Sequence, residues 1–291
     1  MKTDVNAERE IYSSEPRRDE LRRDELRRDE PELAAELPPV PARSFEAPTL
    51  LDKAISAGLW AAGLGFLVPT LGTMTAVYQA VPSHKVNFLG RFYCWGQIKL
   101  TGNRWRAVVH PDVDPNRAYI FAQNHTNHLD HVVLYNATPH FKQGLELESH
   151  FDIPVYGWFM RSRGTVPVKK GRDGQTPEVL ARIGREIDEG RSILAFPEGT
   201  RTRDGRVAPF RKGIFFIARD LGVPIVPVAV TGSFDVLRPG SWILRPGNEI
   251  TVFCEKPVET AGLNDDEVLE LASDVQRTVA ARVDAYWRER A

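Results

Sequence analysis

Two short stretches of this chain carry side chains that can do chemistry. In Asn124-His125-Thr126-Asn127-His128-Leu129-Asp130 an imidazole stands five residues ahead of a carboxylate. Some seventy residues on, Phe196-Pro197-Glu198-Gly199-Thr200-Arg201 makes a tight turn bearing a guanidinium. A neutral imidazole takes a proton from a hydroxyl near neutral pH. It does so best when its other ring nitrogen donates to a carboxylate, which fixes the tautomer and stabilises the cation. Asp130 is the natural partner, but a spacing of five does not bring two side chains together on a regular helix face. The pair therefore requires His125 in a strand-to-helix turn and Asp130 in the first helical turn, where an acid is favoured by the helix dipole. A plain turn histidine with an N-capping aspartate fits the same spacing equally well. His128 and His131 have no aspartate five residues on and read as helix-surface or packing residues.

In the second stretch, Gly199 lets the backbone approach a ligand, and Arg201 can grip a phosphate bidentately. A surface turn with Arg201 paired to Glu198 is the plainer alternative. Lys169-Lys170-Gly171-Arg172 upstream and Arg203, Arg206, Arg211 and Lys212 downstream add positive charge, as an anionic ligand or a solvated basic loop would both allow. No Gly-x-Ser-x-Gly elbow, phosphate-binding loop or dinucleotide fingerprint occurs. Direct transfer without a covalent enzyme intermediate is the simpler expectation. A base and an anion grip together suggest acyl transfer to a hydroxyl on a phosphate-bearing acceptor.

The positioning elements can be read around these motifs. Strands are expected over 118–123, 165–168, 193–196, 225–230 and 250–254, with Pro167 arguing for an edge position. Helices are expected over 127–137, from Thr176-Pro177 to Gly190 with Val179, Leu180, Ile183 and Ile187 at helical spacing, over 213–221, and from Asn264 onward. This alternation implies an α/β fold: a mixed, largely parallel sheet flanked by helices. Ligands gather beyond the carboxyl ends of such strands. If the strands run parallel, His125, Lys169 with Lys170, Glu198 to Arg201, and Thr231-Gly232-Ser233 share one rim.

A formal charge of −1 over 291 residues gives no global pull toward nucleic acid. Two cysteines, Cys94 and Cys254, without a CxxC exclude a disulfide scaffold and a zinc-thiolate site, and suit a reducing compartment. Residues 17–30 approach a repeat of Arg-Arg-Asp-Glu-Leu and are followed by Pro38, Pro39, Pro41 and Pro48. Such a segment buries no core and reads as a solvated tail, with lipid-headgroup contact the sharper alternative. From Ala54 to Ser83 no residue is charged. The first apolar run thus begins some fifty residues in, unlike a secretory signal peptide. Pro69 should divide this stretch, so a hairpin of two short helices in one leaflet leads over one kinked spanning helix and over a buried helix pair. Leu59, Trp60, Phe66 and Leu67 are the candidate membrane-contacting residues, with Tyr78 also suited to the interface and Lys53 and Lys85 flanking.

At this point the residues resemble the glycerolipid acyltransferase family, which includes 1-acylglycerol-3-phosphate acyltransferases. The family carries His-x-x-x-x-Asp, here His125 to Asp130, and Glu-Gly-Thr-Arg, here Glu198 to Arg201. A Phe-Lys-Lys-Gly-like segment follows, here Phe210-Arg211-Lys212-Gly213. A block like Ile153-Pro154 through Thr165-Val166 lies between, and a proline-containing strand like Val223 to Val228 comes after. The resemblance covers roughly residues 85–260. Asn127 stands where serine is common, Leu147 and Glu148 where lysines are, and Lys170 where arginine is.

The resemblance implies His125 as general base and Asp130 as its orienter. Glu198, Gly199, Thr200, Arg201 and Lys170 would hold the acceptor phosphate. It implies a lysophosphatidic acid acceptor and a fatty acyl thioester donor on coenzyme A or acyl carrier protein, with no cofactor, no metal and no nucleic-acid partner. Another lysolipid or alcohol acceptor is the alternative, and a metal-dependent phosphohydrolase a more distant one. Residues 1–48 are then expected to form the tail, 49–87 a membrane-associated helical segment and 88–291 the acyltransferase domain, its site facing the cytoplasm.

Overall fold

Apolar runs alternate with helical stretches along the chain, and in the computed structural model, which describes residues 40–41, 45–169 and 177–291, they assemble into one sheet with helices packed against it. In chain order these are α1 (Leu50–Ala80), α2 (Asn87–Leu100), β1 (Arg104–Val109), β2 (Ile120–Gln123), α3 (Asp130–Ala137), β3 (Lys142–Leu147), α4 (Tyr156–Arg163), β4 (Val166–Val168), α5 (Pro177–Asp188), β5 (Ser192–Ala195), α6 (Gly213–Asp220), β6 (Ile225–Thr231), the one-turn α7 (Ser233–Val236), β7 (Glu249–Cys254) and α8 (Asp265–Arg288). The tail expected over 1–48 lies almost wholly outside the described residues, as do Thr176 and Lys170.

The strand order is β1-β7-β6-β2-β5-β3-β4. Strands β6, β2, β5, β3 and β4 are mutually parallel, while β7 runs antiparallel to β6 and β1 parallel to β7. The carboxyl ends of β2, β4, β5 and β6 therefore share one rim. Pro167 sits in β4 at the sheet edge, where a missing N–H costs no ladder bond. Pro227 lies in a central strand and needs a different explanation. Val228 O accepts from Asn124 N on the β2 side, so Pro227 faces the β7 side. There β7 pairs only from Val228 onward, and Pro227 keeps one bond, its carbonyl accepting from Glu255 N at 2.9 Å.

Side chains alternate across the strands. Phe121, Val226, Val228, Val230 and Val252 face a core with α2 and α3, while Ile120, Ala122, Ile193, Ile225 and Ala229 face a second core with α5, α6 and α8. Helix α8 starts where expected: Asn264 caps it and Glu267 reaches back, closing a capping box. Ile183 of α5 is fully buried, whereas Leu180, read as part of the same stripe, remains exposed.

The N-terminal apolar stretch corrects an expectation. It is one helix passing through Pro69, not a hairpin of two. A proline ring collides with the carbonyl four residues back, and that position is Gly65, with no side chain nearby to hinder adjustment. Beyond the proline, Leu71, Met74 and Tyr78 are locked against Phe151, Phe159 and Met160. Thr49 and Asp52 close a capping box at the start. At 31 residues, with an 18-residue stretch of mean hydropathy 1.6, α1 is long and apolar enough to cross a membrane. The four side chains singled out for lipid contact face the protein. Leu59 and Trp60 pack on the main core, Phe66 lies stacked beside Tyr93, and Leu67 joins the Leu71 cluster. The outward apolar face is instead Leu50, Leu51, Ile55, Leu64 and Val68, continued on α2 by Phe88, Phe92 and Trp95. Composition marks the segment; only the packing shows which face is left over.

Candidate active site

Strand β2 ends at Gln123 and α3 begins at Asp130, so residues 124–129 form the strand-to-helix turn that the spacing requires. Asn124 clips the turn to β6, donating to Val230 O at 3.1 Å and accepting from Val230 N at 2.7 Å. His125 Nδ1 then lies 2.9 Å from Asp130 Oδ2. The imidazole is stacked on Phe196, ring centroids 4.0 Å apart, and its side chain remains 23% exposed. With Nδ1–H committed to the carboxylate, Nε2 is the nitrogen that can receive a substrate proton.

Asp130 is fully buried. Its Oδ2 also accepts from Thr126 N at 2.5 Å and Asn127 N at 2.8 Å, and its Oδ1 accepts from Thr126 Oγ1 at 2.6 Å and Ser233 Oγ at 2.7 Å. Burial pushes the carboxyl pKa up, but the bonds from His125, Thr126 and Ser233 outweigh it, and the net shift is downward. Asp130 is thus held as an anion against the imidazole. Asn127, the departure from serine, anchors the turn by donating to Ser233 O at 2.7 Å and Leu237 O at 2.9 Å.

The second motif follows β5 and folds under the first. Glu198, read as part of the phosphate grip, is 3% exposed and turned inward. Its Oε1 accepts from His125 N at 2.6 Å and its Oε2 from Ala208 N at 2.9 Å. A carboxylate facing a phosphate would repel it, and here the carboxyl group braces the turn from beneath. Burial pushes its pKa up to about 8 against the pull of those two N–H groups, so little negative charge opposes an anion above it near neutral pH. Glu198→Ala should strand both N–H groups. A loss of about 1–3 kcal/mol in unfolding free energy is expected, with slower turnover as His125 loosens, read by denaturant titration beside an activity assay.

Gly199 has φ +65°, and a Cβ there would come within 2.7 Å of the Arg211 guanidinium lying across it. Thr200 and Arg201 are exposed. Arg201 does not pair with Glu198. Its Nη1 donates to His128 Nε2 at 2.8 Å. His128 is therefore more than a surface residue: it joins the two motifs. The surrounding protein and then the Arg201 charge lower its pKa, keeping the ring neutral and able to accept that bond. Arg203 and Arg211 are exposed near the turn, whereas Arg206 is paired with Asp284 at 2.8 Å. Thr202 N donates to His125 O at 2.9 Å, and Trp287 of α8 holds Gly205 O at 2.9 Å. Lys169 is exposed just past β4, and Lys170 lies outside the described residues. Among the described residues no three His, Cys, Asp or Glu side chains gather as a metal site.

The site thus combines a carboxylate-oriented imidazole, an open Nε2 and a guanidinium tied to the same turn. Residues 106–231 match the family model described as Acyltransferase. The chain is 34% identical over 139 residues to the chloroplastic 1-acyl-sn-glycerol-3-phosphate acyltransferase BAT2 of Brassica napus, covering 48% of this chain and 40% of that protein. It is 26% identical over 211 residues to a 1-acyl-sn-glycerol-3-phosphate acyltransferase of Haemophilus influenzae, covering 71% of this chain and 85% of that protein. The chain spans about 40% of the length of the Brassica and Arabidopsis relatives it matches. Its fold is that of the crystal structure of the 1-acyl-sn-glycerophosphate acyltransferase PlsC from Thermotoga maritima, with a TM-score of 0.69 over 81% of this chain and 96% of that one at 20% identity. Through residues 106–231 this chain is thus similar to acyltransferases, and the relatives it matches are 1-acyl-sn-glycerol-3-phosphate acyltransferases.

Proposed function

We propose that this protein transfers a fatty acyl group from an acyl thioester to the free hydroxyl of 1-acylglycerol-3-phosphate. The observation that carries the reading is the 2.9 Å His125–Asp130 contact on the same turn that His128 ties to Arg201. His125 Nε2 takes the hydroxyl proton as the oxygen bonds the thioester carbonyl carbon. The C–S bond breaks with its electron pair on sulfur, and the imidazolium returns the proton. A thiol leaving group with a pKa near ~8.5 needs no strong acid. Asp130 stabilises the imidazolium, and Arg201 holds the acceptor phosphate with Gly199 and Thr200 exposing the turn. Lys170 is proposed as an assistant. No cofactor or metal enters this scheme.

The outward face of α1 and α2 supports a membrane-associated protein whose site meets lipid acceptor and product at the surface, with the cytoplasm as the side from which the donor arrives. Coenzyme A and acyl carrier protein are both compatible donors. Purified protein in detergent, offered radiolabelled acyl donors and a panel of lysolipids, should label 1-acylglycerol-3-phosphate above other acceptors. Preferential labelling of an acceptor without a phosphate would displace this reading. Chelator-sensitive release of inorganic phosphate would favour a phosphohydrolase instead.

Arg201→Ala should raise the KM for the acceptor roughly tenfold or more, the worth of a charge-assisted hydrogen bond, while kcat and the donor KM change little. Initial rates with each substrate varied in turn decide this; an effect confined to the donor would reassign Arg201.

A further inference from the structure

We propose that Ser233 is a positioning residue of this site: its hydroxyl, delivered from beyond β6, donates to Asp130 Oδ1 at 2.7 Å and locks the carboxylate against His125. This rests on His125 acting as the base. Of the five groups donating to the Asp130 carboxylate, four come from His125, Thr126 and Asn127, all within its own turn. Ser233 is the one from elsewhere, 103 residues further along the chain, and it is fully buried.

The direction of its proton follows from its neighbours. Asn127 Oδ1 accepts from Leu129 N at 2.7 Å, which fixes the amide so that its Nδ2 points at Ser233 Oγ, 3.0 Å away. An amide nitrogen only donates, so the Ser233 proton must go to an acceptor. The nearby ones are Asp130 Oδ1 and Thr126 Oγ1, the latter at 2.5 Å. Thr126 is itself bonded to Oδ1 at 2.6 Å, so the two hydroxyls converge on that one oxygen. With three N–H groups on Oδ2 and two hydroxyls on Oδ1, rotation of the carboxylate breaks several bonds at once.

The backbone delivers Ser233 by a constrained path. Gly232 has φ +80°, and a Cβ there would lie 2.1 Å from Glu249 O in the neighbouring strand β7. The chain can turn from β6 into α7 so close to β7 only with glycine at that position. The Asp130 carboxylate, which meets the reacting imidazole, is thereby tied to the middle of the sheet rather than to its own turn alone.

The charged and titratable groups facing His125 are Asp130 and His128 from its own segment and Glu198 and Arg201 from beyond β5. Replacing Ser233 touches only the first directly. An Asp130 with one donor fewer is a stronger base and holds the imidazolium proton more tightly. The acid limb of the pH profile should then move upward.

The test uses the full chain in detergent, with Ser233→Ala and Ser233→Cys compared for kcat, both KM values, thermal stability and the pH dependence of kcat/KM. Ser233→Ala should lower kcat about tenfold, the lower edge for a hydrogen bond to a charged group, with KM values unchanged and the acid limb raised by about half a unit. Ser233→Cys, of similar size but a weaker donor, should fall between. Parental kcat and limb in Ser233→Ala would overturn the proposal. So would a rate loss that follows stability with an unmoved limb, since Ser233 would then only fill space. If Ser233→Ala does not fold, the limb of Ser233→Cys decides in the same sense. His125→Ala run alongside separates the two levels. If it is inactive while Ser233→Ala is unaffected, only the Ser233 role fails; if it retains turnover, the base assignment fails and takes this proposal with it.

Discussion

His125→Ala is expected to lower acyl transfer by at least about 10²–10⁴-fold, the span typical of removing a general base, while the protein remains folded. The physical case has two halves. Chemically, no other group among the described residues stands ready to replace the imidazole: His128 Nε2 is occupied by Arg201, and the carboxyl of Glu198 is turned beneath the turn onto two backbone N–H groups. Structurally, the truncated side chain is partly exposed. Asp130 keeps four of its five donors, so no buried charge is abandoned. The loss is confined to one charge-assisted bond and the stacking on Phe196. A radiolabel assay paired with circular dichroism and a thermal melt reads both halves. Near-parental turnover in a folded variant would refute the assignment.

Asp130→Asn is expected to be nearly as damaging to rate, about 10²-fold or more, and again without unfolding. Asp130→Ala would leave five protein donors facing a buried void and is the wrong probe. Asparagine, by contrast, can place its carbonyl oxygen where Oδ2 sits, keeping the N–H bonds from His125, Thr126 and Asn127. Its amide nitrogen then faces the hydroxyls of Thr126 and Ser233, which can turn to accept. The geometry survives and the negative charge does not. The imidazolium formed during proton transfer loses its counter-charge, so kcat falls while both KM values hold. A variant with parental kcat would show that Asp130 only caps its helix. A variant that unfolds would show that the hydroxyls cannot turn.

Much of this was legible in the linear order of residues. Buried strands announced themselves as short apolar runs, β2 and β5 most plainly, because a strand covered on both faces needs no polar alternation. The strand-to-helix turn was required by the five-residue spacing of His125 and Asp130, since no regular helix could join them. Strands β1 and β3 carried no such signal. Arg104-Trp105-Arg106 lies in an edge strand with most of its side chains in solvent, and β3 opens on Lys142-Gln143-Gly144. The apolar segment was recognisable as membrane-prone, yet Pro69 suggested a break that the packing of Leu71, Met74 and Tyr78 does not allow.

By itself the sequence determined which side chains are the candidates for the chemistry, because residue type and local spacing state reactivity and turn geometry over distances of a few residues. The tertiary structure decided how those groups relate across the fold. It turned Glu198 inward to hold His125 and set His128 against Arg201. It brought Ser233 onto Asp130 and chose the apolar face of α1 left exposed. Each of these joins residues remote in the chain. Such contacts depend on strand order and register, which no local spacing encodes.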